Sequence, residues 1–467
     1  MSNSDNLFSQ QDNSILFDGV NLETEIASVY GTPTYVFSSR KIKENIKEIS
    51  SAFHDHYPNT NIAYSTKNNM LPEIVSFIAG ELDYFETTSL LELKLIEKIS
   101  LLREKPLNLI STNLYKPDGL IQEIINYPNI EISKSKPFIA SGIIAIDSYQ
   151  DLKNTERVAK KIGEKAKVII RVNPGIKMSR EKTIFASAYP EAKCSTIIGD
   201  IASIISSSKD DQISNWLLKR EKVPEFDNAE KLIQEASDSD YLDLKGIHGH
   251  LGSQVTNIDY FHHFFEVITL FYKIMQEKLG KELEILDLGG GYPVRYNFEE
   301  QIPTIQSIAQ SLSEKIKKAN INPHLIIESG RFITATSALL LTSVNITKDT
   351  SSRGKIGILD LSVYSDLLDI ITAQWFYDTI LVSNLPIQNQ QNNTEWELVG
   401  ATNDTLDQLS PIKKQFPRNL QPGDLLAVKD TGAYTTCFNS NYCGKPKPLA
   451  VLLDSENPHK IELMSRV

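Results

Sequence analysis

Eight short apolar runs, each followed by a stretch of helical spacing, constrain this chain more than any other feature of its sequence. The runs are Asn61 to Lys67, Glu81 to Thr87, Leu107 to Thr112, Gly142 to Ser148, Lys167 to Pro174, Leu244 to His250, Glu284 to Gly291 and His324 to Arg331. Ahead of the first, Ile42, Ile46, Ile49 and Phe53 share one helical face, and Ser38 or Ser39 can cap that helix. Further helices are expected over Leu90 to Ile96, from near Pro117, and up to Gly163. Apolar strands alternating with helices predict an α/β fold, and eight of them predict a closed (β/α)8 TIM barrel rather than an open sheet.

The remaining chain does not fit that pattern. At 467 residues two to three domains are expected. The first dozen residues read as disordered, and Phe17 to Val29 and Thr34 to Phe37 as strands with no place in the barrel. After Arg331 come short alternating runs: Leu339 to Ile346, Ile356 to Leu361, Thr379 to Val382, Glu397 to Val399, Asp424 to Val428, Leu449 to Leu453 and Lys460 to Leu463. Separated by turn-formers such as Pro422-Gly-Asp424, they predict a second, all-β domain of sandwich or barrel type. The division is therefore 1–37 as N-terminal strands joining the β domain, 38–335 as the barrel, and 336–467 as the β domain. Between the fifth and sixth runs, Lys177 to Lys222 is polar and serine-rich. It reads as an insertion: a lid, an oligomer contact or a surface elaboration.

Apolar residues make up 41% of the chain, and its net charge is −11 with no basic stripe, which argues against a nucleic-acid partner. No run of eighteen apolar residues suggests a membrane span. Met1 to Asn13 lacks the basic-then-apolar order of a signal peptide. Cys194, Cys437 and Cys443 have no metal-ligand spacing and leave one thiol over from any disulfide. A cytoplasmic protein with reduced thiols is expected.

In such a barrel, chemistry gathers at the C-terminal ends of the strands. Those ends carry Lys67, Glu86, Arg171 with Asn173, His248 with His250, Gly289-Gly-Gly291, and Glu328 with Arg331. A lysine leaving an apolar strand is ordinarily a surface residue, and only this company makes Lys67 a candidate. The glycine triplet can bring backbone N–H groups close to a phosphate, or simply make a tight turn. His248 and His250 share one side of a strand. They suit an aromatic ligand or a satisfied polar core, and no third residue completes a metal set. Glu328 closes an apolar strand and needs a cationic partner, which Arg331 can be. His262-His263 falls within an apolar helical pattern and reads as structural.

Together, the lysine, the histidine, the glycine triplet and Glu-x-Gly-Arg, followed by a β domain, resemble the fold-type III pyridoxal 5′-phosphate (PLP) enzymes, which include the ornithine, arginine and diaminopimelate decarboxylases. The motifs are Tyr64-Ser-Thr-Lys67, Arg171-Val-Asn-Pro174, His250-Leu-Gly-Ser-Gln254, Asp287-Leu-Gly-Gly-Gly291, Glu328-Ser-Gly-Arg331 and Asp430-Thr-Gly-Ala-Tyr434. The resemblance runs from Gly31-Thr-Pro-Thr-Tyr-Val-Phe37 to Lys445-Pro-Lys-Pro448.

The resemblance implies PLP as cofactor, held as a Schiff base by Lys67 with a depressed pKa. It implies His250 stacked on the ring, and Ser253, Gly289, Gly290, Gly291, the Glu328–Gly330–Arg331 turn and Tyr434 around the phosphate. Glu86 and Arg171 would support the site from behind. Glu328 would face the pyridine nitrogen and keep it protonated, which favours decarboxylation through a quinonoid over racemisation. The β domain would complete the site across a homodimer interface through Gly400-Ala-Thr-Asn-Asp-Thr-Leu-Asp407. There Asp404 stands in the family's acidic position, but Asn403 replaces the proton-donating cysteine, and an amide is no general acid. Ser329 replaces the family's proline, and Cys443 stands where an asparagine is usual.

For the substrate, Tyr434 and Asp404 are the expected contacts, with Asp404 pairing a distal ammonium. Diaminopimelate decarboxylases use an arginine after the strand Ile356 to Leu361, and Asp360 to Leu368 has none. Asp366 and Asp369 add acidity, and Trp375-Phe-Tyr377 looks similar to the D-ornithine/D-lysine decarboxylase branch. The expectation is a carboxy-lyase for a basic diamino acid, in polyamine or siderophore metabolism. The alternatives are a PLP-binding homologue without turnover and an amino-acid racemase.

Overall fold

The computed structural model describes residues 5–11, 14–127, 141–176, 187–188, 192–199, 201–208, 228–296, 301–383, 393–454, 457 and 460–465. Eight parallel strands form the barrel: β1 Thr60–Ser65, β2 Tyr84–Thr87, β3 Asn108–Ser111, β4 Gly142–Ile146, β5 Ala166–Asn173, β6 Leu242–His250, β7 Ile285–Gly289 and β8 His324–Ser329. Each pairs with its sequence neighbours, β8 returns to β1, and β4 pairs with β5, so the sheet closes. Beyond the end of β4, the short strand Thr196–Ile197 pairs with the tip of β5. The expected α/β barrel is therefore present, with strand ends shifted by no more than three residues.

The helices form where the spacing places them. Ser38 caps Ser39–His56, its side chain accepting from the Lys41 N–H, and Ile42, Ile46, Ile49 and Phe53 are buried on one face. Leu90–Leu102 starts at a capping box: Ser89 accepts from the Glu92 N–H, and Glu92 accepts from the Thr88 N–H. Tyr149–Ile162 ends on Gly163 in the left-handed region (φ 83°). Among the described residues no helix is long and apolar enough to cross a membrane.

The barrel interior is layered with a period of two, because alternate strand residues point inward. Ala63, Ile110, Ala145, Ile169, Ile285 and Ile326 form a dry plug, with Tyr84 packed against it. Each fully buried Ile of this kind contributes about 1.5–3 kcal/mol. Two residues further along the same strands stand Ser65, Glu86, Thr112, Asp147, Arg171, Asp287 and Glu328, with His248 on β6 in register with Asp287. The layer above the plug is therefore polar, and most of it is fully buried.

The second sheet runs Lys414–Phe416, Thr394–Val399, Gly354–Leu359, Ala338–Thr350, Thr34–Ser38, Leu449–Leu453, Ile461–Leu463. Its spine is Ala338–Thr350, which also pairs antiparallel with Leu425–Lys429. The N-terminus departs from expectation. Phe8–Gln11 pairs with Ser14–Phe17 instead of being disordered, and Leu7 is buried. The strand expected over Phe17 to Val29 stops at Asn21, whose side chain accepts from the Glu23 and Thr24 N–H groups and starts a helical segment through Tyr30. Leu22 and Ile26, four apart, then face the core with Val36, Leu339 and Val451. Two short helices, Val363–Asp366 and Asp369–Ala373, interrupt the expected all-β region. Of the expected insertion, 187–188, 192–199 with the strand Thr196–Ile197, and 201–208 with the helix Ile201–Ser207 are described, and the rest lies outside the described residues.

Candidate active site

A cavity of about 260 Å³ opens over the C-terminal ends of the barrel strands. Lys67 enters it from a single helical turn, Thr66–Asn68, just past β1 rather than from the strand itself. Its Nζ lies 2.5 Å from Glu86 Oε2. The Thr112 hydroxyl donates to the other oxygen of Glu86, so that carboxylate is committed on both sides. Burial opposes the Lys67 charge, but Glu86, Tyr434 and Glu328 outweigh it and hold the ammonium above its ordinary range. The expected depressed amine is therefore not found in the chain alone, because Glu86 lies against it.

The turn carrying Lys67 is stapled to the β domain. The Tyr434 N–H donates to Asn68 O (2.9 Å) and Asn69 Nδ2 to Gly432 O (3.1 Å). Gly432 is forced by close approach, since a Cβ there would collide with the Thr334 carbonyl. Tyr434 itself has φ 59°, a conformation costly for a large side chain, and it brings the ring over Arg331 at 4.6 Å.

His250 is fixed by Ser187, whose Oγ lies 2.7 Å from its Nδ1. Burial and the cations Arg171 and Lys67 push this imidazole well below its ordinary range, so the ring that lines the cavity is neutral. Gly289 to Gly291 lie beside it. A Cβ at Gly290 would strike the His250 ring and the Gly252 carbonyl, and one at Gly289 would strike Glu328 and His250. A Cβ on Gly330 would come to 2.6 Å from Asn68 Cβ. These glycines keep backbone N–H groups close to the cavity, and Gly290 and Gly291 also have positive φ.

Arg331 is not the partner of Glu328. It donates to Ser253 Oγ (Nη2, 3.2 Å) and Tyr296 Oη (Nη1, 2.7 Å), and its guanidinium lies 3.7 Å from the Trp375 ring. Glu328 instead lies 3.4 Å from His248 Nε2. The absence of a third polar group beside His248, read from the sequence, is also overturned. Asp287 and Glu328 stand there, with donor atoms within 4.8 Å of one another. Arg171, also buried, donates to Thr112 O at 3.2 Å and lies 3.8 Å from Asp147. Glu86, Arg171 and Glu328 thus lie beneath Lys67 and His250.

The structure brings together Lys67, His250, Ser253, Gly290, Gly291, Glu328, Gly330, Arg331 and Tyr434 on one cavity wall, with Gly289, Glu86 and Arg171 behind it. It does not bring Asn403 and Asp404 there. Asn403 is exposed, and Asp404 accepts from the Leu406 N–H (2.8 Å). That bond and the Tyr364 hydroxyl hold the Asp404 carboxyl below its usual range. Asp407, which sequence reasoning passed over, is the anchor of this loop. It accepts from the backbone of Val363 and Thr402 and is buried. Also unforeseen were Ser187, which fell in a segment read as an insertion, and the cavity residues Tyr292, Thr372 and Phe438. Trp375 and Asp369 had a signal in the sequence, an aromatic and acidic run past Leu361, but no assigned place.

A flat aromatic ring with a phosphate fits these residues. An amine, a neutral imidazole held edge-on by Ser187, a carboxylate with one buried unpartnered oxygen (Glu328 Oε1), glycine N–H groups and an arginine line a single cleft. The family described as "Pyridoxal-dependent decarboxylase, pyridoxal binding domain" matches residues 224–335. Diaminopimelate decarboxylase of Aquifex aeolicus is 27% identical over 446 residues, covering 95% of this chain and 92% of its own. That of Pseudomonas aeruginosa is 26% identical, covering 97% and 95%. The fold is shared with diaminopimelate decarboxylase from M. jannaschii in co-complex with L-lysine (TM-score 0.79, 24% identity, 99% and 95% covered). It is also shared with lysine/ornithine decarboxylase from Vibrio vulnificus complexed with putrescine (TM-score 0.67, 17% identity, 92% and 96% covered). Barrel, cavity and full-length relatives together define a PLP-dependent carboxy-lyase. Across nearly its whole length the chain is similar to the fold-type III PLP-dependent decarboxylases, and PLP is its cofactor.

Proposed function

We propose that this enzyme decarboxylates a diamino acid of the ornithine or lysine type, working as a homodimer. The observation that carries the substrate class is Asp369. It lines the cavity, is buried, and has one oxygen bonded by the Tyr377 hydroxyl and the other without a partner. Burial pushes its carboxyl up to about 6, so it is ionised at neutral pH and can receive a distal ammonium. The cations on the cavity wall are Lys67 and Arg331, which already face Glu86 and Ser253. A second distal carboxylate, as in diaminopimelate, would meet Asp369 rather than a free arginine.

The residues divide the work as follows. Lys67 is the amine that holds the cofactor, and Glu86 keeps a proton close to it. His250 lies against the ring, Ser253, Gly289 to Gly291, Gly330, Arg331 and Tyr434 receive the phosphate, and Glu328 faces the ring nitrogen. Arg171 buttresses the carboxylates from beneath. PLP, when bound, supplies the electron sink that takes up the pair left by departing carbon dioxide. Asp404 and Asn403 reach the cavity of the second copy, where Asp404 adds a second acid at the distal ammonium.

Diaminopimelate is the second reading, favoured by the relatives above, which carry that name. The test is carbon dioxide release from a panel of D- and L-ornithine, lysine and diaminopimelate by the PLP-loaded enzyme. Turnover of ornithine or lysine at least tenfold faster than of diaminopimelate supports the proposal, and the reverse order replaces it with the second reading. Exchange of the Cα proton without carbon dioxide loss would point to a racemase. A bound cofactor with no turnover at all would point to a binding protein.

A further inference from the structure

The polar layer above the barrel plug holds more acid than base. Glu86 is matched by Lys67 at 2.5 Å, Asp147 by Arg171 at 3.8 Å, and Asp151, just above, by the buried Lys116 at 2.6 Å. Two carboxylates remain, Asp287 and Glu328. Among the described residues neither has a lysine or arginine within 4 Å, and they face each other across His248. Both are fully buried, and so is His248. Neither oxygen of Asp287 receives a hydrogen bond. An ionised carboxylate without a donor or cation, in the dry centre of a barrel, is among the costliest arrangements a protein can hold. Two such groups side by side cannot both ionise.

We infer that Asp287 is a neutral carboxylic acid that holds the shared proton, and that Asp287 and His248 are positioning residues which leave Glu328 charged beneath the cavity, beside the ion-paired Glu86. Which of the two keeps the proton follows from their neighbours. Burial opposes the charge on both, and Lys67 and Arg171 favour it on both, but Asp287 alone is also opposed by two carboxylates, Glu328 and Glu86. Burial, with those two carboxylates facing it, pushes Asp287 well above the usual carboxylate range. Burial and Arg171 push His248 well below its own, so its imidazole is neutral. A neutral ring with its proton on Nε2 donates to Glu328 at 3.4 Å and leaves Nδ1 buried and without a hydrogen bond. The groups facing this trio are thus Lys67, Glu86, Arg171 and, at the next level, the neutral His250.

The purpose of the arrangement follows from the reading of Glu328 as the group opposite the ring nitrogen, on which this inference rests. That interaction requires a carboxylate with a fixed charge and a fixed direction. A proton resting on Glu328 would abolish it, and Asp287 gives that proton another seat one strand away. Gly289, in register with Glu328 and His250, leaves room for the two to approach, since a Cβ there would meet Glu328, His250 and His248.

The direct test is infrared difference spectroscopy of the PLP-loaded enzyme, wild type minus Asp287→Asn, in water and in deuterium oxide. We expect a protonated carboxylic carbonyl band that shifts in deuterium oxide and vanishes in the variant. A carboxylate band alone would overturn the inference. Kinetics supply the second arm. Asp287→Leu, which strips His248 of its polar neighbour, is expected to lower kcat by about tenfold or more, and Asp287→Asn to recover most of that loss. Failure of the neutral isostere to rescue, with the cofactor still bound, would also overturn it. His248→Phe should lower kcat at unchanged KM and move the acid limb of the rate profile upward, while His248→Gln, which keeps a donor, should restore both. Equal effects of the two would remove His248 from the role. The reading of Glu328 is tested separately by the cofactor absorbance and kcat of Glu328→Gln, a variant that removes a charge opposing ionisation of Asp287 and is therefore not used to read the Asp287 band.

Discussion

Two acidic regions of this molecule are built in opposite ways. In the barrel, Glu86, Asp287 and Glu328 stand on parallel strands, fully buried, their directions set by the register of the sheet. In the β domain, Asp404 sits on a surface loop, tied by the Leu406 N–H and the hydroxyls of Tyr364 and Tyr442, whose rings lie 4.6 Å apart. The first region is costly to assemble and needs no second chain. The second is held in shape by the buried Asp407 and stands apart from the cavity of its own chain. Under the proposed homodimer, the rigid half would carry the chemistry common to every substrate, and the loop would add to the contacts that Asp369 makes with the substrate's far end.

The largest effects are expected in the rigid half. Lys67→Ala should abolish the visible absorbance of the bound cofactor and lower turnover by more than about a thousandfold. Retention of the band would undo the reading of the whole cavity. Asp404→Ala should behave differently. It should keep the band and thermal stability, and raise KM by about tenfold or more, because a charge partner is lost at the substrate's far end. Mixing inactive Lys67→Ala with Asp404→Ala subunits sharpens the contrast. In a statistical mixture of symmetric dimers, one good site per heterodimer should return activity toward about a quarter of the wild-type level. No recovery would place Asp404 in its own subunit's service, or in none.

The sequence was most legible where one physical rule acts alone. Short apolar runs separated by helical spacing located all eight barrel strands, and that spacing with a capping serine located Ser39–His56. It misled where a polar side chain redirects the backbone: Asn21 turned an expected strand into a helix. At the site, residues on strand ends were readable because strand direction fixes where they point. Ser187 was not, because nothing in a serine-rich stretch marks the one serine that meets His250. The partnership of Glu328 was misjudged for the same reason. Arg331 is three residues away in sequence, but the turn after β8 sends it to Ser253, and β6, two strands over, supplies His248.

A smaller effect is expected from pH. Asp369 loses its charge as pH falls through about 6, the value to which burial lifts its carboxyl. KM for a diamino acid should therefore rise below that pH by up to about tenfold per unit. Asp369→Asn should give a raised, flat KM over the same range. The sign for stability is opposite. A carboxyl lifted in the folded state binds its proton more readily folded than unfolded, so its contribution falls as pH rises from the ordinary carboxylate range to about 6. Acidification across that window should weaken substrate binding while this group stabilises the fold. A KM that stays constant between pH 5 and pH 7.5 would remove Asp369 from the substrate's path.

The smallest expected effect falls on the exposed loop. Asn403 stands one residue before Asp404, in the position from which the family's cysteine would face the reacting carbon, and its amide has no proton to give as an acid. Asn403→Cys restores a thiol there without touching a buried contact, because the residue is exposed. If the loop reaches the second subunit's cavity and proton return limits the rate, kcat should rise by about twofold to tenfold, with a solvent isotope effect that falls correspondingly. If kcat and the isotope effect are unchanged while Asp404→Ala still raises KM, the loop serves recognition alone. The proton then comes from the rigid half, where the Lys67 ammonium, kept charged by Glu86, is the acid already facing the cavity.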